Sequence, residues 1–160
     1  MRIVSGVNDE CCYSVTKTMD GGFAIVGQTT SFGAGYNDIF IEKFDSSGYV
    51  EWGKVVGGTS GDAGFSIIQT SDNGYAVAGY TGSYGVGLSD IALIKFDSLG
   101  NIEWAKTIGG PDREEPVSII QTSDGGYAVI GWTESFGAGW MDFLILKVDS
   151  TGSLQWARTI

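Results

Sequence analysis

The sequence predicts an all-β protein made of three stacked, four-stranded antiparallel sheets, and three observations carry that prediction. One unit recurs at a constant spacing of 52 residues: Trp52, Trp104 and Trp156 fall in phase, as do Asp38, Asp90 and Asp142, Lys43, Lys95 and Lys147, and Gly27, Gly79 and Gly131. The copies 53–104 and 105–156 are identical at 25 of 52 positions without an insertion, which marks a repeat architecture. Glycine supplies 26 of the 160 residues, and no stretch keeps helical apolar spacing for three turns. The apolar runs are instead short and bounded by Asp-Gly and Asn-Gly turn signals, as strands are.

The elements follow in order within the middle copy. Residues 64–71 form a short apolar run, and Asp72-Asn73-Gly74 is a hairpin turn matched by Asp20-Gly21-Gly22 and Asp124-Gly125-Gly126. Tyr75–Thr81 returns as the second strand, and a glycine-rich connection over 82–89 leads into the third, 90–97. Asp97-Ser98-Leu99-Gly100 turns that strand into the fourth, 101–108, and Gly109-Gly110 closes the unit. The two prolines, Pro111 and Pro116, are expected just before a strand, where a missing N–H costs nothing. Ile91-Ala92-Leu93-Ile94-Lys95-Phe96 and Phe143-Leu144-Ile145-Leu146-Lys147-Val148 are apolar on both faces, as in a strand buried on two sides. Asn101-Ile102-Glu103-Trp104-Ala105-Lys106 alternates, as a half-exposed outer strand does. That gradient predicts stacked blades. Repeats of approximately 1–52, 53–104 and 105–156, with 157–160 starting a fourth, compose one domain long enough to bury roughly 70% of its unfolded surface.

Composition removes several function classes. The net charge of −10, with nine scattered basic residues, repels phosphate backbones and anionic membranes, which excludes nucleic acid as a partner. No apolar run approaches the roughly 18 residues of a membrane span, and Met1-Arg2-Ile3-Val4 opens no signal-peptide core. Met1 interrupts a repeat, because Arg2-Ile3-Val4-Ser5-Gly6 aligns with 54–58 and 106–110, so the start reads as a break in a longer array. Residues 157–160 and 1–4 overlap in phase. Histidine is absent, which eliminates Ser-His-Asp and Cys-His nucleophile systems, the imidazole base and nearly all zinc sites. Cys11 and Cys12 occur in the first copy only and have no further metal-binding or redox partners.

Carboxylate and aromatic chemistry remain. Asp38, Asp90 and Asp142 each open a third strand after Gly-x-Gly, which is no phosphate loop because no helix follows. They are read either as capping the backbone N–H groups of the glycine loop or as a rim of carboxylates suited to Ca²⁺ or sugar hydroxyls. Asp45, Asp97 and Asp149 head Asp-Ser-x-Gly turns, and Lys43, Lys95 and Lys147 are expected to reach along a blade to a carboxylate or solvent. The tryptophans are expected to anchor neighbouring blades. The copies differ at their rim loops. The entry to the first strand varies, and the glycine loop carries Phe32, Tyr84 and Phe136, then Tyr36, Leu88 and Trp140. Binding residues tend to reside on such loops. The candidate ligand-binding set is therefore Asp38, Asp90, Asp142, Phe32, Tyr36, Tyr84, Phe136 and Trp140, with no catalytic residue and no metal ligand.

Residues 93–109, where an apolar strand runs into Asp97-Ser98-Leu99-Gly100-Asn101-Ile102-Glu103-Trp104, resemble the tryptophan-containing blade of quinoprotein-type β-propellers. Gly125-Gly126-Tyr127-Ala128-Val129 is similar to the kelch blade. The pattern also resembles tandem Gly-Gly-Tyr…Asp-Ser-x-Gly-Asn…Glu-Trp arrays of archaeal and bacterial proteins, many of them surface-exposed. The resemblance covers nearly the whole chain and implies propeller blades in an extracellular or cell-surface setting. It implies no cofactor, because the extra cofactor-binding residues of catalytic quinoprotein propellers have no counterpart here. Closed propellers have about four to eight blades, so three blades leave two apolar faces to cover. A homodimer that closes a six-bladed ring covers both, and an open filament is the other continuation. The alternative fold is the β-trefoil, which closes three four-stranded repeats within one chain. The expected function is a non-enzymatic, self-associating structural or interaction module with itself as partner. The alternatives are a module that binds carbohydrate or protein through its rim loops and, third, a carboxylate-based glycoside hydrolase, which needs two carboxyl groups about 5–10 Å apart.

Overall fold

The computed structural model describes residues 6–160. The first sheet contains β1 (Glu10–Lys17), β2 (Phe23–Thr29), β3 (Asp38–Phe44) and β4 (Val50–Val56). The second contains β5 (Asp62–Gln69), β6 (Tyr75–Thr81), β7 (Asp90–Phe96) and β8 (Ile102–Ile108), and the third β9 (Glu114–Gln121), β10 (Tyr127–Thr133), β11 (Asp142–Val148) and β12 (Leu154–Thr159). Each sheet is an antiparallel meander in sequence order. Named strands pair only within their own sheet, which leaves no barrel of the kind a β-trefoil requires. Cut by sheets, the chain divides near residues 57–61 and 109–113, so Ala157 to Thr159 finish the third sheet.

Turn chemistry sets the hairpins. In the β5–β6 turn Asn73 N–H donates to Thr70 C=O, and Asn73 takes φ 66°, the left-handed region that Asn tolerates. Glycine fills the aligned positions 21 and 125. At the β7–β8 turn Gly100 N–H donates to Asp97 C=O, while the Asp97 carboxylate accepts from Leu99 N at 2.9 Å and Asn101 N at 2.8 Å.

Two expectations about strand placement change. The first strand of the middle repeat starts at Asp62 and ends at Gln69, because Asp62 and Ala63 pair with Thr81 and Tyr80 while Thr70 already belongs to the turn. Pro116 lies inside β9, opposite Gly131 at a register shift. A bulge interrupts the ladder there, which is how proline enters a sheet.

Neighbouring sheets share apolar interfaces. The leading face of a sheet meets the sheet before it, and the trailing face meets the sheet after it. Ala24, Val26, Ile39 and Ile41 on the first sheet's trailing face pack against Ile67, Tyr75, Val77, Ala92, Ile94 and Phe96. Ala76, Ala78, Ile91 and Leu93 on the second sheet's trailing face pack against Ile119, Tyr127, Val129, Leu144, Leu146 and Val148. Strand β7 is buried at every position, whereas β8 is mostly exposed, matching the doubly apolar and alternating patterns. The expected repeat continuation through Arg2-Ile3-Val4-Ser5, and its overlap with 157–160, lie outside the described residues.

Candidate functional site

The aspartates that open the third strands fold back onto their own glycine loops. Asp90 Oδ2 accepts from Val86 N at 3.0 Å and Gly87 N at 3.2 Å, Asp142 Oδ2 from Gly139 N at 3.0 Å, and Asp38 Oδ2 from Gly35 N at 3.3 Å. Asp38 and Asp90 are buried and Asp142 is half-buried. The first two glycine loops also meet the next sheet: Asp62 N donates to Asn37 O at 2.8 Å and Glu114 N to Ser89 O at 2.9 Å.

A second acidic series, Glu10, Asp62 and Glu114, shares the 52-residue phase and falls at the variable, acidic entry to the first strand of each copy. Glu114 is fully buried and satisfied: Oε2 accepts from Gly110 N at 2.7 Å, and Oε1 from Thr133 Oγ1 at 2.6 Å and Ser135 N at 3.3 Å. Asp62, one methylene shorter, accepts from Gly58 N at 2.9 Å and Ser83 Oγ at 2.6 Å through Oδ2 alone, and its buried Oδ1 has no hydrogen-bond partner. Asp38 and Asp62 both border Gly57, and Asp90 and Glu114 border Gly109. The carboxylates therefore form pairs along the inter-sheet seams. Beside them lie cavities of ≈390 Å³, reached by Asp62 and Tyr84, and ≈320 Å³, reached by Glu114 and Phe136.

The rim aromatics separate into two groups. Phe32, Tyr84 and Phe136 are half-exposed, and Tyr84 donates its hydroxyl to Gly57 O at 3.1 Å. Tyr36 is 84% exposed and Trp140 96% exposed. Trp140 stands over a shallow depression with Asp112, Glu134 and Gly139.

The strand lysines are structural ties. Lys43 Nζ contacts Asp20 at 2.9 Å and Glu51 at 2.6 Å, and Lys95 Nζ contacts Asp72 at 2.9 Å and Glu103 at 2.7 Å. Lys147 pairs with one acid, Asp124 at 2.9 Å, because Gln155 replaces the second, and it also donates to Val148 O at 3.1 Å. Burial works against ionisation of Asp72, but hydrogen bonds from Thr70, Lys95 and Gly74 outweigh it and draw the carboxyl down to about 2.

The largest unsatisfied feature is apolar. On the third sheet's trailing face, Ile120, Ile130, Phe143 and Trp156 are exposed at positions aligned with Ile68, Ala78, Ile91 and Trp104. The first sheet's leading face shows Val15 exposed and Phe23, Ile25 and Phe44 half-buried, aligned with Ile67, Tyr75, Val77 and Phe96. Glu42 interrupts this face where the other copies have Ile94 and Leu146. It is buried, Oε2 has no hydrogen-bond partner, and burial pushes its carboxyl up. Cys12 is exposed at the position of Gly64 and Pro116, and both cysteines are free thiols. Among the described residues no group of three or more His, Cys, Asp or Glu side chains is arranged to hold a metal ion, and no helix is long and apolar enough to cross a membrane.

No family model matches the sequence. Over 134 residues the chain is 26% identical to the regulatory protein FlaEY of Caulobacter vibrioides, a match covering 76% of this chain and 14% of that protein. The crystal structure of a Bacteroides caccae protein of unknown function superposes with a TM-score of 0.62 at 14% identity, covering 94% of this chain and 46% of the other. The chain thus spans about half of its structural neighbour and a seventh of its curated relative, and the structural likeness is one of fold.

Proposed function

We propose that the chain is a non-enzymatic structural and interaction module whose three quinoprotein- or kelch-like propeller blades self-associate into a closed six-bladed ring. One observation carries this reading: the open trailing and leading faces carry apolar residues at the positions aligned with the two faces that pack together inside the chain, with Glu42 as the interruption. An apolar face of that extent is an interaction surface, and repeat units of this kind gain their stability from neighbours. A structural neighbour about twice as long agrees with a six-bladed whole. An interaction role is also compatible with the regulatory designation of FlaEY, of which this chain spans 14%. The burial of Asp38 and Asp90 argues against a glycoside hydrolase built on them. Light scattering after size exclusion tests the proposal: a stable species of twice the 16.9 kDa chain mass is expected. A monomer at every concentration, or a ladder of ever larger species, overturns the closed ring.

Carbohydrate binding at the rim is the second reading, favoured by Trp140 standing 96% exposed beside Asp112 and Glu134. A tryptophan ring flanked by carboxylates suits a sugar face and its hydroxyls. Titration with oligosaccharides should then change tryptophan fluorescence in the wild type and not in Trp140→Ala, and an unchanged signal removes this reading.

A further inference from the structure

Inside the chain each seam is keyed by a tryptophan over a glycine. Trp52 lies against Gly100 and meets Tyr75 edge-on, with ring centroids 5.4 Å apart. Trp104 lies against Gly152, meets Tyr127 at 5.8 Å, and donates Nε1–H to Ser150 O at 3.2 Å. A Cβ at either glycine would fall 2.8 Å from the indole Cε3. These glycines therefore serve the packing as well as the turn, whose φ is 77° at Gly100 and 78° at Gly152.

The two ends of the chain hold the separated halves of a third such key. Gly48 has the same φ of 78°, yet no described atom lies within 4 Å of where its Cβ would stand. Phe23 occupies the place of Tyr75 and Tyr127, stacked on Phe44 at 4.9 Å. At the other end Trp156 is 43% exposed with Arg158 over its ring, 5.7 Å from the centroid. The polar stitches extend as well: Ile67 N donates to Ser14 Oγ at 3.4 Å and Ile119 N to Ser66 Oγ at 3.3 Å, and Ser118 stands next in that series.

We propose, building on the self-association above, that a second copy of this chain docks head-to-tail, with Trp156 seated on the partner's Gly48 against the partner's Phe23, and Ser118 accepting from the backbone N–H of the partner's Val15. Two such seams related by a two-fold axis close the ring. The seam is a weakened version of the internal ones. Lys17 replaces Gln69 and Gln121, whose side-chain oxygens accept from Met19 N at 2.8 Å and Ser71 N at 2.9 Å. Glu42 brings a carboxylate to a face that docking would dry further. The seam is accordingly weaker than the packing between sheets within the three-sheet body.

The test compares the dimer–monomer midpoint of the wild type, Trp156→Ala and Gly48→Asn by sedimentation, with circular dichroism as a check on folding. Asn accepts the left-handed backbone and blocks the socket. Each variant should keep the wild-type spectrum and dissociate at a concentration at least tenfold higher. An equimolar mixture of the two restores one intact seam per dimer and should shift the midpoint back towards wild type. If the wild type dimerises but both variants dimerise equally well, or the mixture shows no recovery, the tryptophan key is wrong while self-association stands. A wild type that stays monomeric throughout overturns both.

Discussion

The second and third sheets present aligned trailing faces to opposite environments. Ile91 is fully buried and its counterpart Phe143 is 75% exposed, while Ala78 is fully buried and Ile130 is 49% exposed. The strand order and the turns are alike, so the difference comes from the neighbour: among the described residues a sheet packs on the second sheet's trailing face and none on the third's. A four-stranded blade has two apolar faces and can cover neither by itself, so its burial depends on its neighbours.

The sharpest way to break that comparison is to truncate both sides of it. Ile91→Ala should cost about 2–5 kcal/mol in urea unfolding, the price of a core cavity. Phe143→Ala, measured below the dimer midpoint, should stay within about 0.5 kcal/mol, as a surface change does. Equal losses would mean that Phe143 is already covered within one chain. Next in size is the glycine pair. Gly100→Asn drives a side chain into Trp52 and should lower stability by about 1–3 kcal/mol through overpacking, whereas Gly48→Asn meets open space and should cost about 1 kcal/mol or less.

Glu42→Leu restores the apolar pattern of Ile94 and Leu146 on the first sheet's leading face. Removing a buried acceptor that lacks a hydrogen bond should add about 1–3 kcal/mol and tighten self-association. The pH dependence gives its signature. Burial raises the Glu42 carboxyl in the folded chain, so the neutral form is the better-tolerated one. Its contribution is most favourable below the unfolded value and is lost as pH rises through the folded value. The wild type should therefore gain stability relative to Glu42→Leu as pH falls below that folded value, and a pH-independent difference would exclude Glu42 as the cause.

The smallest effect concerns the lysine ties and runs the other way. Asp72 is drawn down to about 2, so its contribution is present above the ordinary carboxylate value and lost as pH falls towards 2. Lys95→Met should flatten that acid limb of the stability curve. Lys147→Met should flatten it as well, through Asp124, whose carboxyl is held well below the usual carboxylate range by Thr122, Lys147 and Gly126.

Much of the fold was legible because it is written locally. The Asp-Gly and Asp-Ser-x-Gly turns specify where the chain reverses, and the left-handed φ values fall on Asn73, Gly100 and Gly152 within those motifs. The doubly apolar third strand announced burial on both faces before any neighbour was known. The start of β5 was less visible, because Asp62 and Ala63 do not continue the apolar run and are held in the ladder by Thr81, Tyr80, Gly58 and Ser83. Pro116 misled for a related reason: only the bulge opposite Gly131 makes room for it within a strand. Of the rim residues, the sequence indicated the loops but not their geometry. It marked Trp140 and Tyr36 as loop aromatics without distinguishing them from Tyr84, whose hydroxyl is tied to Gly57.

By itself, then, the amino-acid sequence determined the repeat, the four-strand meander, the turn positions and the absence of histidine chemistry, since each depends on periodicity or on residues a few positions apart. Tertiary structure decided the rest. It pairs Asp38 with Asp62 and Asp90 with Glu114 across glycines, seats Trp52 and Trp104 on glycines of the following repeat, and leaves Gly48 and Trp156 without their counterparts. Those outcomes depend on which sheet lies beside which, and residues identical in type and phase are buried or exposed according to whether a neighbour is there to displace water.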